Sequence, residues 1–280
     1  MLSVLLAAVS AAVWGTGDFC GGKATQKSSA LAVTVASQLF GLPILILGVI
    51  ALGHKTMSLS EMGMGALAGI AGFLGIVLLY RGLSRGAMAI FAPTSAVTSA
   101  VIPLVVGLFF GKPPSTLGLI GAVLAICAIG LVSMSGSKDE NRVVTPGLIG
   151  LALATGAMFG LFFTLLGTTS SSSGLWPLVG VRVGSIGVGL IVLLVTRTSL
   201  RLPSGPRQWT ITAGALDITA NGLYVLAVGA GGPLSIIAPI ASLYPVSTAL
   251  LALFVDKEKV RPVQLAGLGV AVTALVLVTA

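Results

Sequence analysis

Ten apolar stretches run through this chain, at about 2–22, 29–52, 61–82, 87–110, 115–135, 146–167, 175–196, 208–230, 233–255 and 262–279. Each is close to the ~20 residues a helix needs to cross ~30 Å of hydrocarbon. In lipid no water bonds the backbone, so a spanning segment must satisfy its own N–H and C=O groups, which a helix does. Only 8% of the residues are charged and the mean hydropathy is +1.10, whereas a soluble domain carries about a quarter charged residues. The expectation is an all-α integral membrane protein with ten transmembrane helices joined by short loops. The first run has no basic region before it and no small-residue cleavage site leading to a soluble domain, so a signal peptide is not expected.

The chain also repeats itself, and such a period governs every later inference. One ungapped offset of 146 positions brings Ala92 onto Ala238, Pro93 onto Pro239, Lys112 onto Glu258 and Gly121 onto Gly267. Near the start of each half, Ala12-Val13-Trp14-Gly15 is echoed by Ala157-Met158-Phe159-Gly160. The expected units are therefore residues 1–135 and 146–280, with a linker loop at 136–145, together forming one membrane domain. Five spans is an odd number, so the second copy enters the bilayer from the opposite side. Inverted repeats of this kind are characteristic of transporters, which bind substrate near the midplane between the halves.

With ten spans both termini lie on one face. Loops of the other face carry twelve of the fifteen lysines and arginines, among them Lys23, Arg142, Arg201 and Lys259; the face of the termini has Lys55 and Lys112, and Arg182 lies within the seventh run. The positive-inside rule then expects both termini outside. The formal charge of +8 is scattered in ones and twos, with no basic stripe for a nucleic-acid backbone. Cys20 and Cys127 lie in apolar runs and His54 is the single histidine, so neither a disulfide framework nor a metal site is expected.

Small-xxx-small pairs, Gly17/Gly21, Gly65/Gly69, Gly107/Gly111, Gly156/Gly160 and Gly180/Gly184, point to close helix packing. Pro93, Pro103, Pro239 and Pro245 lie inside apolar runs, where each removes a backbone hydrogen bond and favours a kink. Hydroxyls cluster beside them, Thr94, Ser95, Thr98 and Ser99 in one copy and Ser242, Tyr244, Ser247 and Thr248 in the other. Broken helices are tolerated where they face a cavity, which makes the fourth and ninth helices candidate cavity walls.

In these residues the chain resembles the drug/metabolite transporter superfamily, in particular its ten-helix EamA-type branch. The resemblance spans nearly the whole chain. It rests on Trp14-Gly15 and Phe159-Gly160, on the proline-bearing fourth helix of each copy, and on Leu243-Tyr244-Pro245-Val246 and Gln264 after Pro262. Lys112 stands where the family's turn usually has glutamate, and Lys257 where it has glycine. The resemblance implies a secondary transporter working by alternating access, with export as the expected direction and uptake as the alternative.

Charges within hydrocarbon are costly and point to function or to a partner. Asp18 follows Trp14 by one helical turn, so ring and carboxylate share a face. Asp217, Asn221 and Tyr224 share a face of the eighth helix, and Arg182 aligns near Gln38 of the first copy. Phe159 and Phe163, which are counterparts of Trp14 and Asp18, together with Tyr80 and Tyr244, are candidate aromatic walls. The expected substrate-binding set is thus Trp14, Asp18, Tyr80, Ser95, Thr98, Phe159, Phe163, Arg182, Asp217, Asn221, Tyr224, Ser242 and Tyr244. An unpaired carboxylate in low dielectric favours its protonated form, so Asp217, and after it Asp18, is the candidate proton-coupling residue. For each buried polar group a purely structural hydrogen bond is the competing account.

The expected substrate is a small organic solute such as an amino acid, a metabolite or an amphipathic drug. The protein is expected in the cell membrane as a monomer or homodimer, with no cofactor and no nucleic-acid partner. No serine-nucleophile elbow, zinc-protease helix or phosphate-binding loop is present in the sequence, which argues against an enzyme or a primary pump. A channel or scaffold is the remaining alternative. Cysteines added at both termini should react with a membrane-impermeant maleimide on intact cells; protection from the reagent would place the termini in the cytoplasm.

Overall fold

The computed structural model describes residues 1–51, 56–83, 88–111, 114–133, 145–255 and 261–279, without the side chains of residues 80–83, 88–93, 249, 252–253 and 278–279. The turn residues Lys112, Lys257 and Glu258, and the single histidine His54, lie outside the described residues. Among those described, the chain is helical and has no strand. In chain order the helices are α1 Leu2–Thr25, α2 Ala30–Phe40, α3 Leu42–Ala51, α4 Leu59–Leu83, α5 Met88–Phe110, α6 Thr116–Ser133, α7 Pro146–Gly167, α8 Trp176–Thr196, α9 Ser204–Gly229, α10 Leu234–Ala241, α11 Tyr244–Phe254 and α12 Pro262–Thr279.

Among the described residues every apolar run is helical apart from the breaks, and two of the runs are divided into two helices. Six spans among the described residues are long and apolar enough to cross a membrane: α1, α2 with α3, most of α4, α7, α8 and α9. The described parts of α5, α6, α10 with α11, and α12 form shorter apolar segments. The surface is that of a protein meant for lipid. Leu47, Ile50, Phe110, Leu194 and Val195 face outward, while alanines such as Ala7, Ala68, Ala100 and Ala128 fill the interior. Large apolar side chains towards lipid and many small residues inside let the helices pack closely.

The proline kinks follow an uneven rule. Helix α5 runs unbroken through Pro93 and Pro103, contrary to the expectation of matching breaks in both copies. In the second copy the chain does break, at Ser242 and Leu243 between α10 and α11. The reason lies in spacing. Pro239 and Pro245 are six residues apart and deprive successive turns of a donor, whereas Pro93 and Pro103 leave intact turns between them. A further break was not anticipated. At Gly41, α2 gives way to α3, and Pro43 two residues on has no N–H for the carbonyl of Leu39.

The main packing joins helices of different halves. Helix α1 packs on α9 and its counterpart α7 on α4; α5 packs on α7, and α1 on α10 and α11; α6 and α12 pack on each other. Equivalent residues make equivalent approaches. Gly15 lies against the Tyr244 carbonyl and Gly160 against that of Ser99; Gly69 lies against the Val181 carbonyl and Gly214 against that of Ser37. Such exchanged contacts define a pseudo-two-fold relation between the copies.

The tightest crossing is α4 on α8, where two small-xxx-small pairs meet face to face. A Cβ on Gly65 or Gly69 would overlap the carbonyls of Pro177 and Val181; one on Gly180 or Gly184 would overlap those of Met62 and Ala66. Backbones this close gain dispersion contacts that lipid cannot offer. Overpacking a tight site typically costs ~1–3 kcal/mol. Gly65→Leu should therefore lower the melting temperature of the purified protein clearly. Gly63→Leu, whose Cβ would meet nothing within 4 Å, should leave it nearly unchanged. Equal melting of the two variants would show that this crossing does not depend on close approach.

Candidate functional site

Two helices of each copy, α8 and α9 of the second and α1 and α2 of the first, converge at Asp217, near the middle of α9. Arg182, on α8, is only 2% exposed and places its guanidinium 2.7 Å from Asp217 Oδ2. Its other terminal nitrogen donates to Gln38 Oε1 on α2. Ser185, one turn along α8, donates to the same Gln38 oxygen at 3.2 Å. The second carboxylate oxygen, Oδ1, accepts from Trp14 Nε1 of α1 at 3.2 Å and from Asn221 Nδ2 at 3.2 Å. Asn221 also donates to the Asp217 carbonyl one turn back, at 2.7 Å.

Local backbone features allow this. Gly41, at the α2–α3 break, has no Cβ where one would lie 2.8 Å from the Gly214 carbonyl and 3.5 Å from Arg182 Nη2. A Cβ there would press on the α9 backbone at Gly214. Gly17 similarly brings α1 onto α9, where its Cβ would lie 3.7 Å from the Asp217 amide. A buried guanidinium and a carboxylate can remain charged here because each satisfies the other and further hydrogen bonds complete them.

Beside the polar cluster stands an aromatic one. The Trp14 ring lies edge-on to Phe163, with centroids 5.2 Å apart, and to Phe162 at 6.3 Å; Tyr224 lies 6.0 Å from it. Phe163 and Tyr224 are 5.5 Å apart, separations typical of favourable aromatic pairs. The Tyr224 hydroxyl, fully buried, donates to the Phe163 carbonyl at 2.8 Å and so ties α9 to α7.

Asp18 differs from Asp217. Its side chain is exposed, one helical turn along α1 from Trp14. Among the described residues it has no hydrogen-bond or ion-pair partner. The Asp217 carboxylate and the half-buried Tyr244 hydroxyl lie within electrostatic reach of it. Lys23, on the same helix, is held over the Phe19 ring, 5.4 Å from its centroid.

The structure thus brings together Trp14, Asp18, Phe163, Arg182, Asp217, Asn221, Tyr224 and Tyr244 from the expected set. The others lie elsewhere. Ser95 and Thr98 pack against Gly156 at the α5–α7 crossing, and Thr98 bonds its own helix at the Thr94 carbonyl, 2.7 Å away. Phe159 packs against Gly75 of α4. Ser242 sits at the α10–α11 break, buried, with its hydroxyl unpartnered. Tyr80 belongs to α4, with its side chain outside the described residues. Gln38, Ser185 and Phe162 were absent from the expected set. Gln38 carried a signal, an intramembrane glutamine aligned near Arg182, whereas Phe162 and Phe163 could be told apart only by helix rotation.

The sequence profile of the EamA-like transporter family matches residues 1–134 and 147–280. A solved structure titled "Crystal structure of protein" is similar over 99% of this chain and 96% of its own, with a TM-score of 0.77 and 14% identity. At that identity the likeness concerns the fold. No curated protein matches the sequence.

Breaking a fully buried ion pair costs ~3–5 kcal/mol because one charge is left alone. Asp217 is 34% exposed, so solvent screening reduces the loss to about 2 kcal/mol. Arg182→Leu should lower the thermal stability of the protein accordingly, and adding Asp217→Asn should recover part of the loss. A double variant as unstable as the sum of the two single changes would mean that the pair is not coupled.

Proposed function

Since the chain belongs to the EamA-like transporter family, we propose that it is a secondary active transporter of small organic solutes, working by alternating access. The observation that carries this reading is the Asp217 centre, where a charged network and an aromatic wall stand between helices of both copies. Polar groups held at membrane depth belong where a solute passes or where they bond one another. Here one carboxylate, Asp217, is bonded and a second, Asp18, is exposed.

In this reading the helices make ten crossings, five per copy, with the second copy inverted. The pseudo-two-fold exchange of contacts supports that arrangement. Because packing joins the halves more than it joins helices within a half, elements of both copies must move past one another to expose the site alternately. The α10–α11 and α2–α3 breaks are natural hinges, since each already lacks helical hydrogen bonds. The solute is an amino acid, metabolite or amphipathic drug, moved outward across the cell membrane, with one of the two carboxylates, Asp217 or after it Asp18, carrying the coupling proton.

The purified protein in liposomes tests this by counterflow. Vesicles loaded with one unlabelled solute from an amino-acid, amine and metabolite panel should accumulate the same labelled solute transiently, with saturation. Non-saturable flux without counterflow would make the protein a channel. Imposing the proton gradient in each direction then separates export from uptake.

A further inference from the structure

We infer that the groove between α3, α9 and the start of α8 binds one acyl chain of a membrane phospholipid. This site lies outside the polar centre and stands independently of the transport reading. The groove encloses about 210 Å³. Leu45, Leu178 and Ile218 form its buried floor, and Ile44, Thr219 and Leu226 an exposed rim. Gly222 keeps the middle open, since a Cβ there would meet nothing within 4 Å. The helices around it, α2 with α3, α8 and α9, are all long and apolar enough to cross a membrane. The rim therefore opens towards lipid.

The helix break at Gly41 explains why the groove exists. Before the break, α2 buries a continuous stretch, Ala32 to Ala36; after it, α3 buries only Leu45 among its 10 residues. Beyond Gly41 the chain thus stands away from the bundle. Apolar atoms lining such a gap forfeit their dispersion contacts unless something apolar fills it. The floor is also the outer packing of the polar centre. Leu178 stands one turn before Arg182, Leu45 one turn after Gly41, and Ile218 follows Asp217. A chain in the groove backs the ion pair and keeps water from that side.

The lining selects the occupant. Among the described residues around the groove, Thr219 has the only polar side chain, and its hydroxyl donates to the Ala215 carbonyl at 2.7 Å. Water or a polar solute finds no free side-chain group to bond, and apolar cavities of ~150 Å³ stay dry and take up apolar guests. A helix, about 10 Å across, is too wide to enter, which excludes a second copy or a partner span. A single hydrocarbon chain fits. Along α9 the groove runs from Ile218 to Leu226, ~12 Å at a rise of ~1.5 Å per residue. That length stays within one leaflet of a ~30 Å hydrocarbon layer. Just past Leu226, Gly229 lies against Ser171 in the exposed serine turn ahead of α8. An apolar groove ending at a hydroxyl-bearing rim matches a lipid, chain inside and headgroup at the surface.

Photolabelling tests this on the full-length protein in vesicles of phosphatidylethanolamine and phosphatidylglycerol. A trace of phospholipid carries a diazirine within one acyl chain, and the labelled residues are mapped by mass spectrometry. Residues 44–48 and 218–226 should be labelled about threefold or more above Met64 and Leu67, a preference of ~0.65 kcal/mol. Those two residues face outward near the start of α4, which begins on the membrane face where α3 ends. Gly222→Phe should bring the groove down to their level. Gly187→Phe, at an equally open glycine of α8, should leave the groove labelled. Uniform labelling of the unmodified protein, or groove labelling that survives Gly222→Phe, would overturn the site. Loss of the groove label on adding 2-phenylethylamine would make the groove a solute's path and overturn the lipid assignment. If Gly222→Phe does not fold, the contrast within the unmodified protein decides.

Discussion

A guanidinium inside a membrane protein sets the terms for everything near it. An arginine at the centre of a lone transmembrane helix costs about 2.5–3.5 kcal/mol even by the mildest measure. Arg182 is tolerated because Asp217 neutralises it and Gln38 takes a second donor. That arrangement requires α8, α9 and α2 to meet at one depth, and Trp14 then pins α1 to the same carboxylate. Four separate stretches of chain are thereby tied through a single acidic side chain.

Close approach makes the meeting possible. Gly41 leaves the space in which the guanidinium and the Gly214 carbonyl lie. The glycine pairs of α4 and α8 let the backbones of these two helices touch. Pro43 and Pro245 add breaks beside the site without adding chemistry. In the proposed carrier, the polar knot orients the site and the helix breaks beside it bend.

Much of this was legible in the sequence, and for definite reasons. The ten apolar runs foretold the helices because hydrocarbon leaves the backbone no other partner. The offset linking Pro93 to Pro239 foretold two related halves, and the family profile matches both. Asp217, Asn221 and Tyr224 were recognisable as one face from their spacing alone, and they do stand together. Less legible was the difference between two carboxylates. Asp18 and Asp217 look alike in sequence, and the expectation favoured Asp217 for proton exchange. Yet Asp217 is bonded by Arg182, Trp14 and Asn221 while Asp18 is left without such a partner. Partners 35 and 203 residues away decided this, and no local pattern encodes them.

The same division holds for the aromatic wall and the helix breaks. Phe162 and not Phe159 reaches Trp14, because helix rotation about α7 depends on the glycines of α4 against which Phe159 and Phe162 are set. Pro103 leaves α5 intact while Pro245 splits its counterpart. By itself the sequence determined the helical membrane architecture, the duplication and the pool of polar residues, since these follow from hydropathy, period and composition. Only the tertiary structure decided which charges neutralise each other and which carboxylate is bonded by distant side chains, because pairing in low dielectric depends on ångström distances between distant helices.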